Sequence, residues 1–582
     1  MNPANEKSQP APASGSGASN SMPGSNNPKL SSVNYVTILP EGKTSGYKPQ
    51  QQIDYKIDPI QFPYIDGKQS YLLLNVTPEV KFSNTSATAK PGVCFPANMG
   101  ANSLVNRLVC RSNDGTGRIL EDREAYNLYN GIGNAYQHDS DVFPALAKVE
   151  AVSGRSTATI NQSIDNINNC YFFPQADIAT TSNESVHGNT LIQNSFVIPI
   201  QLGLFSAFSD QHFALPNMDI NGVHLTYHLE TGNRTMMLLC HKFYKKDTLN
   251  NGVANCHVEH AVNPLTKIAC TFSSGTEFKI DQSVCNCDLV INGRPWDLSF
   301  LAWRVGHSLE IGSNNNQALI TKIEIDGGQV KVTLGNAVVG GGGGADTIGF
   351  SAIGDRDYTI DKCELRVLNT MPDMPTMKQI RRAVMNGVNY NTTQLYKVST
   401  ASQLKNAVID IPESLTKVMS LMVVPLQQAN LNVVDQDNVY LFSRPDSILA
   451  NNDNDYEYQF QVRDVLIPNL AVVTDKSVDD KNDNCIYFNN QMMALRPMMN
   501  VRALTDHAIQ RENNTLDLTL PYFFPLLLSP QGSSFDLIDS APQLRITNRT
   551  TTVADITAKL NFVFANHTRL LRITDQGVNV EF

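Results

Sequence analysis

Hydrophobic positions along this 582-residue chain mostly recur every second residue, the period of a strand with one buried face. Val223, Leu225, Tyr227 and Leu229 alternate with His224, Thr226 and His228. Tyr456, Tyr458, Phe460 and Val462 share one face of another run, and Leu560, Phe562 and Phe564 repeat the pattern near the end. Ser70–Val76 is different: its short continuous apolar run reads as a strand buried on both faces. Lys417–Pro425 is apolar as well. Ser195–Ile200 contains Pro199, which points to an edge or a bulge. Ser103–Cys110 and Arg118–Leu120 flank Asn113-Asp-Gly-Thr-Gly117, a strand–turn–strand signature. The charged stretch that follows predicts a short helix or turn over Glu121–Tyr129. In Thr321–Leu334, Ile323 and Ile325 lead into Asp326-Gly-Gly328, and Val330, Val332 and Leu334 lead out. Asp-Gly supplies the positive φ angles that a tight hairpin needs.

One helix stands out between two long strand-rich halves. In Asp373–Gly387, Pro375 is tolerated at a helix start because its missing N–H would have no intrahelical partner there. Met377, Ile380 and Val384 fall at i, i+3 and i+7 on one face, and Asn386-Gly387 accepts the left-handed turn that ends a helix. The spacing predicts a helix over Met377–Met385, so the class is all-β with a short helical linker. Four segments follow: an arm at 1–32, a first β domain at 33–372, the linker at 373–387 and a second β domain at 388–582. Residues from about 263 to 352 read as a small β module inserted into the first domain, because Tyr358–Val367 resumes a long strand just before the helix.

Composition narrows the function. The chain is too long for one core, and charged residues make up only 17%. Low charge suits surfaces that become buried against neighbours. A net charge of −10 without a Lys/Arg run argues against general nucleic-acid binding. Residues 1–32 are rich in Pro, Ala, Ser, Gly and Asn and cannot bury enough to order themselves. They also lack the basic start and apolar run of a secretory signal. No stretch approaches the ~20 apolar residues that span a bilayer. The ten cysteines are therefore expected as thiols.

Candidate chemistry is sparse. Cys240, His241, Cys256, His257, His260, Cys270, Cys285 and Cys287 lie in one stretch, yet they lack the paired Cys-x2–4-Cys knuckles of a structural zinc site. No metal is assigned. Gly340–Gly344 is not a phosphate loop, since no Gly-Lys-Ser/Thr ending or helix follows it. Asp435, Asp437, Asp453 and Asp455 sit in Asn/Asp-rich stretches, where solvated turn residues are expected. Serine, zinc and cysteine hydrolase signatures are missing. No catalytic, cofactor-binding or metal-binding residue is assigned, and the expectation is a protein that is not an enzyme. Arg381-Arg382 on the linker helix is expected to face solvent.

Several segments, in order, resemble a known family. Gly100–Arg111 followed by Asp114–Asn127 is similar to the major capsid proteins of polinton-like viruses and virophage-related small double-stranded DNA viruses. Ile198–Phe205, Leu215-Pro-Asn217 and Gly222–Leu229 follow in the family's order, and Tyr358–Pro375 resembles its strand and proline-containing linker. Val418–Pro425, Tyr458–Pro468 and Thr568–Phe582 continue the resemblance, which spans roughly 53–582. The inserted module, with Gly293-Arg-Pro-Trp296 and Trp303-Arg-Val-Gly306, resembles one found in some members only. The resemblance implies a double jelly roll, two eight-stranded antiparallel sandwiches in one chain. It also implies a viral structural protein: a homotrimer forming a pseudo-hexameric capsomer that tiles an icosahedral virion capsid, beside penton and minor capsid proteins. No cofactor is implied. A β-sandwich carbohydrate- or receptor-binding spike is the alternative, and a β-sandwich glycosidase a third reading.

Overall fold

The alternating segments assemble into two sandwiches with the same strand order. The computed structural model describes most of residues 30–137, 194–238, 268–280, 308–336, 344–349, 353–427, 456–497, 523–548 and 559–581, together with short strands and turns between them. In the first sandwich the strands are β1 (Leu30–Ile38), β2 (Gln52–Ile57), β3 (Ile65–Phe82), β4 (Val105–Ser112), β5 (Ile119–Glu124), β6 (Ser195–Pro199), β7 (Val223–Leu229) and β8 (Ile353–Pro372). In the second they are β9 (Val388–Thr400), β10 (Asn406–Asp410), β11 (Val418–Gln427), β12 (Tyr456–Val462), β13 (Val465–Thr474), β14 (Phe524–Leu527), β15 (Gln543–Asn548) and β16 (Lys559–Thr574).

One sheet of the first sandwich runs β1-β8-β3-β6, with the two-residue strand 179–180 pairing in parallel with β3 as a fifth member, and the other runs β2-β7-β4-β5. The second sandwich has β9-β16-β11-β14, with Gly577–Glu581 added as a fifth strand on β16, and β10-β15-β12-β13. Adding eight to each label turns one pattern of eight strands into the other, and only the added short strands differ. Antiparallel sheets in this order, two to a sandwich, are a jelly roll, and the chain is a double jelly roll.

The paired inner faces make the cores. In the first, Ile53 and Tyr55 meet Leu72, Leu74, Leu225 and Tyr227, with the Tyr55 and Tyr227 rings edge-on at 6.0 Å. In the second, Ile409, Tyr458, Phe460 and Leu544 meet Leu421, Val423 and Val563. Between β7 and β8 lies a closed six-stranded barrel of strands 268–274, 277–280, 329–334, 316–326, 308–311 and 344–349. Its 316–326 and 329–334 strands are the two arms of the hairpin read from Thr321–Leu334.

Two local details differ from the sequence reading. Glu121–Glu124 belongs to β5, and the helix begins only at Tyr126, as α1 (Tyr126–Gln137). Glu121 and Arg123 stay extended because their partners lie elsewhere in the chain, as the next section describes. The helix between the sandwiches, which follows α2 (Gly203–Ser209) in sequence, is α3 (Met374–Asn386). It starts one turn earlier than its apolar spacing suggests, because Asp373 caps it by accepting from Thr376 N at 3.0 Å. Ile380 and Val384 are buried and belong to the core of the first sandwich.

Candidate functional site

The most elaborate polar construction among the described residues lies where the two sandwiches meet. Glu121 on β5 is fully buried. Its Oε1 accepts from Gly203 N, Thr392 Oγ1 and Arg123 Nη2, each at 3.0 Å, and its Oε2 accepts from Leu204 N at 2.9 Å. Gly203 and Leu204 open α2, so two N–H groups with no intrahelical acceptor point at the carboxylate. Thr392 comes from β9 in the other sandwich. Arg123 also donates to Gln201 O at 2.8 Å and lies 4.8 Å over the Tyr129 ring. Tyr390 on β9 donates its hydroxyl proton to Leu120 O on β5. Gly203 is required here: a Cβ on it would lie 1.6 Å from Asn391 O.

The carboxylate's acceptor sites are filled and water is excluded, so Glu121 holds two surfaces together and has no path to a substrate. Breaking a buried pair of this kind leaves an uncompensated charge, which is why it marks a seam that stays closed.

Helix α1 completes the seam. It follows β5 in sequence, yet Leu128, Tyr129, Ile132 and Tyr136 pack into the core of the second sandwich. Tyr129 meets Phe564 of β16, with ring centroids 5.5 Å apart. Tyr136 donates to Gln491 Oε1 at 2.8 Å, on α4 (Lys481–Leu495). Gln491 Nε2 donates to Tyr487 O–H, also at 2.8 Å, and Tyr487 donates to Phe523 O at 2.9 Å. In return, Val388, Tyr390 and Leu571 of the second sandwich belong to the first core.

This cover changes the sheet beneath it. Every residue from 418 to 426 of β11 and from 561 to 567 of β16 is buried, on both faces. In the matching sheet of the first sandwich, β3, β8 and β6 alternate between buried and half-exposed residues, so one face is open. Ser70–Val76 therefore departs from its sequence reading: Leu72 and Leu74 are buried, whereas Tyr71 and Leu73 are not. The second face of that apolar run has no full cover within the single chain.

His567 sits in the doubly buried stretch of β16. Its Nε2 accepts from Arg569 Nε at 3.2 Å and its Nδ1 lies 3.3 Å from Ala565 O, an arrangement that suits the neutral ring protonated on Nδ1. Burial, aided by the Arg569 charge, holds its pKa down at about 4.

Among the described residues the metal candidates do not come together. Cys270 is a buried thiol in the barrel, and Cys256 and His257 lie on the strand 254–258. Cys240, His241, His260, Cys285 and Cys287 fall outside the described residues, as do Asp435, Asp437, Asp453, Asp455 and most of Gly340–Gly344. Among the described residues no group of three or more His, Cys, Asp or Glu is placed to hold a metal ion. No helix among them is long and apolar enough to cross a membrane. Arg381 is exposed at 3.7 Å from Asp219.

No protein-family model matches the sequence, and no curated protein matches it. Solved structures similar to the chain include the Faustovirus major capsid protein, at 8% identity over 95% of this chain and 92% of that one, with a TM-score of 0.48. A chain of the Sputnik virophage structure from cryo-EM is similar at 11% identity over 99% and 91%, with a TM-score of 0.46. The mavirus major capsid protein is similar at 10% identity over 99% and 97%, with a TM-score of 0.35. The double jelly roll itself follows from the strand order and register.

Proposed function

We propose that this chain is the major capsid protein of a small double-stranded DNA virus, made to be a tile. The observation that carries the reading is the presence of two jelly rolls of identical strand order in one chain, locked by a buried seam. Three copies then present six similar sandwiches under a three-fold operator, which approximates a hexagonal outline. The fold favours this use because its two halves are tied through buried bonds such as Thr392 Oγ1 to Glu121. A tile that bears load needs such ties.

In this reading, residues 33–372 and 388–582 are the two jelly rolls, the 263–352 module decorates the first, and 373–387 sets their spacing. The arm read at 1–32, whose last three residues belong to β1 (Leu30–Ile38), clasps neighbouring capsomers. Penton and minor capsid proteins are the other partners, and the packaged DNA is enclosed without being read. The site of action is the virion, and no catalytic step is assigned.

The test is expression of the full chain, followed by mass measurement and electron microscopy. A trimer of about 192 kDa, three chains of 64.1 kDa each, that packs into hexagonal arrays supports the proposal. A stable single chain that binds glycans would overturn it in favour of the spike reading.

A further inference from the structure

We infer that Asn102, Asn130 and Glu150 form a binding site for one hard cation of the calcium class. The cation pins the segment 149–152 and the start of α1 to the 3-10 turn Gly100–Leu104. The site stands apart from the capsid reading and would serve the chain whatever it assembles into.

A close approach of the backbone sets the position. Gly100 and residues 150–152 are packed so tightly that a Cβ on Gly100 would lie 2.3 Å from Glu150 O and 2.6 Å from Val152 N. Ala101 N donates to the same Glu150 O at 2.7 Å. The approach brings the Glu150 carboxyl against the side chain of Asn102. At the head of α1, burial raises the Tyr126 hydroxyl to a pKa of about 12, and the nearby Glu150 charge adds to the effect. That hydroxyl lies beside the Asn130 side chain, one turn further along α1. Three segments of the chain thus bring their polar side chains into one neighbourhood.

The asparagines there are unsatisfied. Asn102 and Asn130 have no exposure, and neither the oxygen nor the nitrogen of either amide has a hydrogen-bond partner among the described residues. Buried amides are nearly always paired, so both side chains call for something held between them. Tyr126 is already committed: it donates to Pro199 O at 2.7 Å and accepts from Gln201 N at 3.1 Å. The carboxyl lacks compensation as well. Burial pushes its pKa up to about 7, and the Asn102 amide offsets this only in part.

The donor chemistry selects the ligand. A carboxylate and two amide oxygens are hard ligands, with no thiolate or imidazole for zinc. Calcium takes about six to eight oxygens in a loose geometry and accepts waters for the remainder, whereas magnesium demands a near-ideal octahedron. The amide N–H groups then donate to those waters and to the carboxylate. A single carboxylate makes the site weak, with a Kd of about 10⁻⁴–10⁻³ M. Its effect is nevertheless well placed, because α1 fills the core of the second sandwich and the cation sits at its head.

The experiment uses the full chain, stripped with chelator, and terbium as a luminescent stand-in for calcium excited through tyrosine. Terbium emission is expected to be displaced by calcium at about 10⁻⁴–10⁻³ M, and by magnesium or potassium only at about tenfold higher concentration or more. E150Q, with circular dichroism as the check on its fold, is expected to lose the calcium-displaceable emission. N130D adds a second carboxylate and is expected to tighten calcium binding about tenfold, so the test survives if E150Q misfolds. A folded E150Q that keeps the displaceable emission overturns the inference, as does an N130D with unchanged affinity. Emission from the unmodified chain that calcium does not displace also overturns it and assigns the amides to ordered water alone. None of these results bears on the capsid reading, which mass and microscopy test separately.

Discussion

The two jelly rolls share a strand order but not an environment, and the difference lies in one sheet of each. Strands β11 and β16 are buried on both faces over 418–426 and 561–567, whereas β3 and β8 alternate. The outer positions of β8 carry Glu364 and Arg366, joined at 2.6 Å, with Lys362 2.8 Å from Glu364. At the heart of β16 the residue is a buried neutral His567. One topology thus supports two surfaces, one already used for assembly within the chain and one still facing outward. The outer face of the β9-β16-β11-β14 sheet is covered partly by α1 from the first sandwich, at Tyr129 on Phe564, and partly by α4 of its own sandwich, at Ala494 on Ser420.

The largest way to break the comparison is at the seam. E121A removes the acceptor shared by Gly203, Leu204, Thr392 and Arg123 and strands the guanidinium. Denaturant unfolding is expected to show a loss of about 3–5 kcal/mol, as for other broken buried pairs. A loss below about 1 kcal/mol would mean that the seam does not depend on this carboxylate.

Next comes truncation in the matching strands. M422A in β11 empties a fully buried site and is expected to cost about 2–5 kcal/mol. L73A in β3 removes a half-exposed side chain and should cost about 1 kcal/mol or less in the unassembled chain. Equal losses would erase the distinction between the sheets.

The histidine gives the comparison a pH signature. The folded pKa of about 4 lies below the ordinary value of 6.5. The unfolded chain therefore binds the proton first, and stability present above pH 6.5 is lost as the pH falls towards 4. The loss amounts to at most about 3.5 kcal/mol. H567Q should flatten the unfolding free energy across that window, and an unchanged slope would remove His567 as its source. Smallest is Y136F, which takes one donor from Gln491 and should cost about 1 kcal/mol by the same denaturant assay.

Much of the fold was legible because strand burial leaves a local mark. The alternation at 223–229 and 456–462 became β7 and β12, and the Asp-Gly turn became a barrel hairpin. The seam was not legible. Glu121 and Arg123 look like helix-surface charges in sequence, and their role depends on partners 82 and 271 residues away. Helix α1 likewise reads as a Tyr- and Asn-rich stretch with no hint that it fills the other sandwich. The run at Ser70–Val76 is the instructive middle case. Its composition asks for two buried faces and the single chain supplies one, so the sequence reported an environment that one chain does not contain.

Hydroxyl-radical footprinting of the purified assembly beside the dissociated chain tests that claim most directly. The account predicts that Tyr35, Tyr71 and Leu73 label readily in the dissociated chain and become as protected as Met422 on assembly, with the labelling of Ile60, exposed in the turn between β2 and β3, as the reference in both states. Equal labelling of Tyr35 and Tyr71 before and after assembly would contradict it.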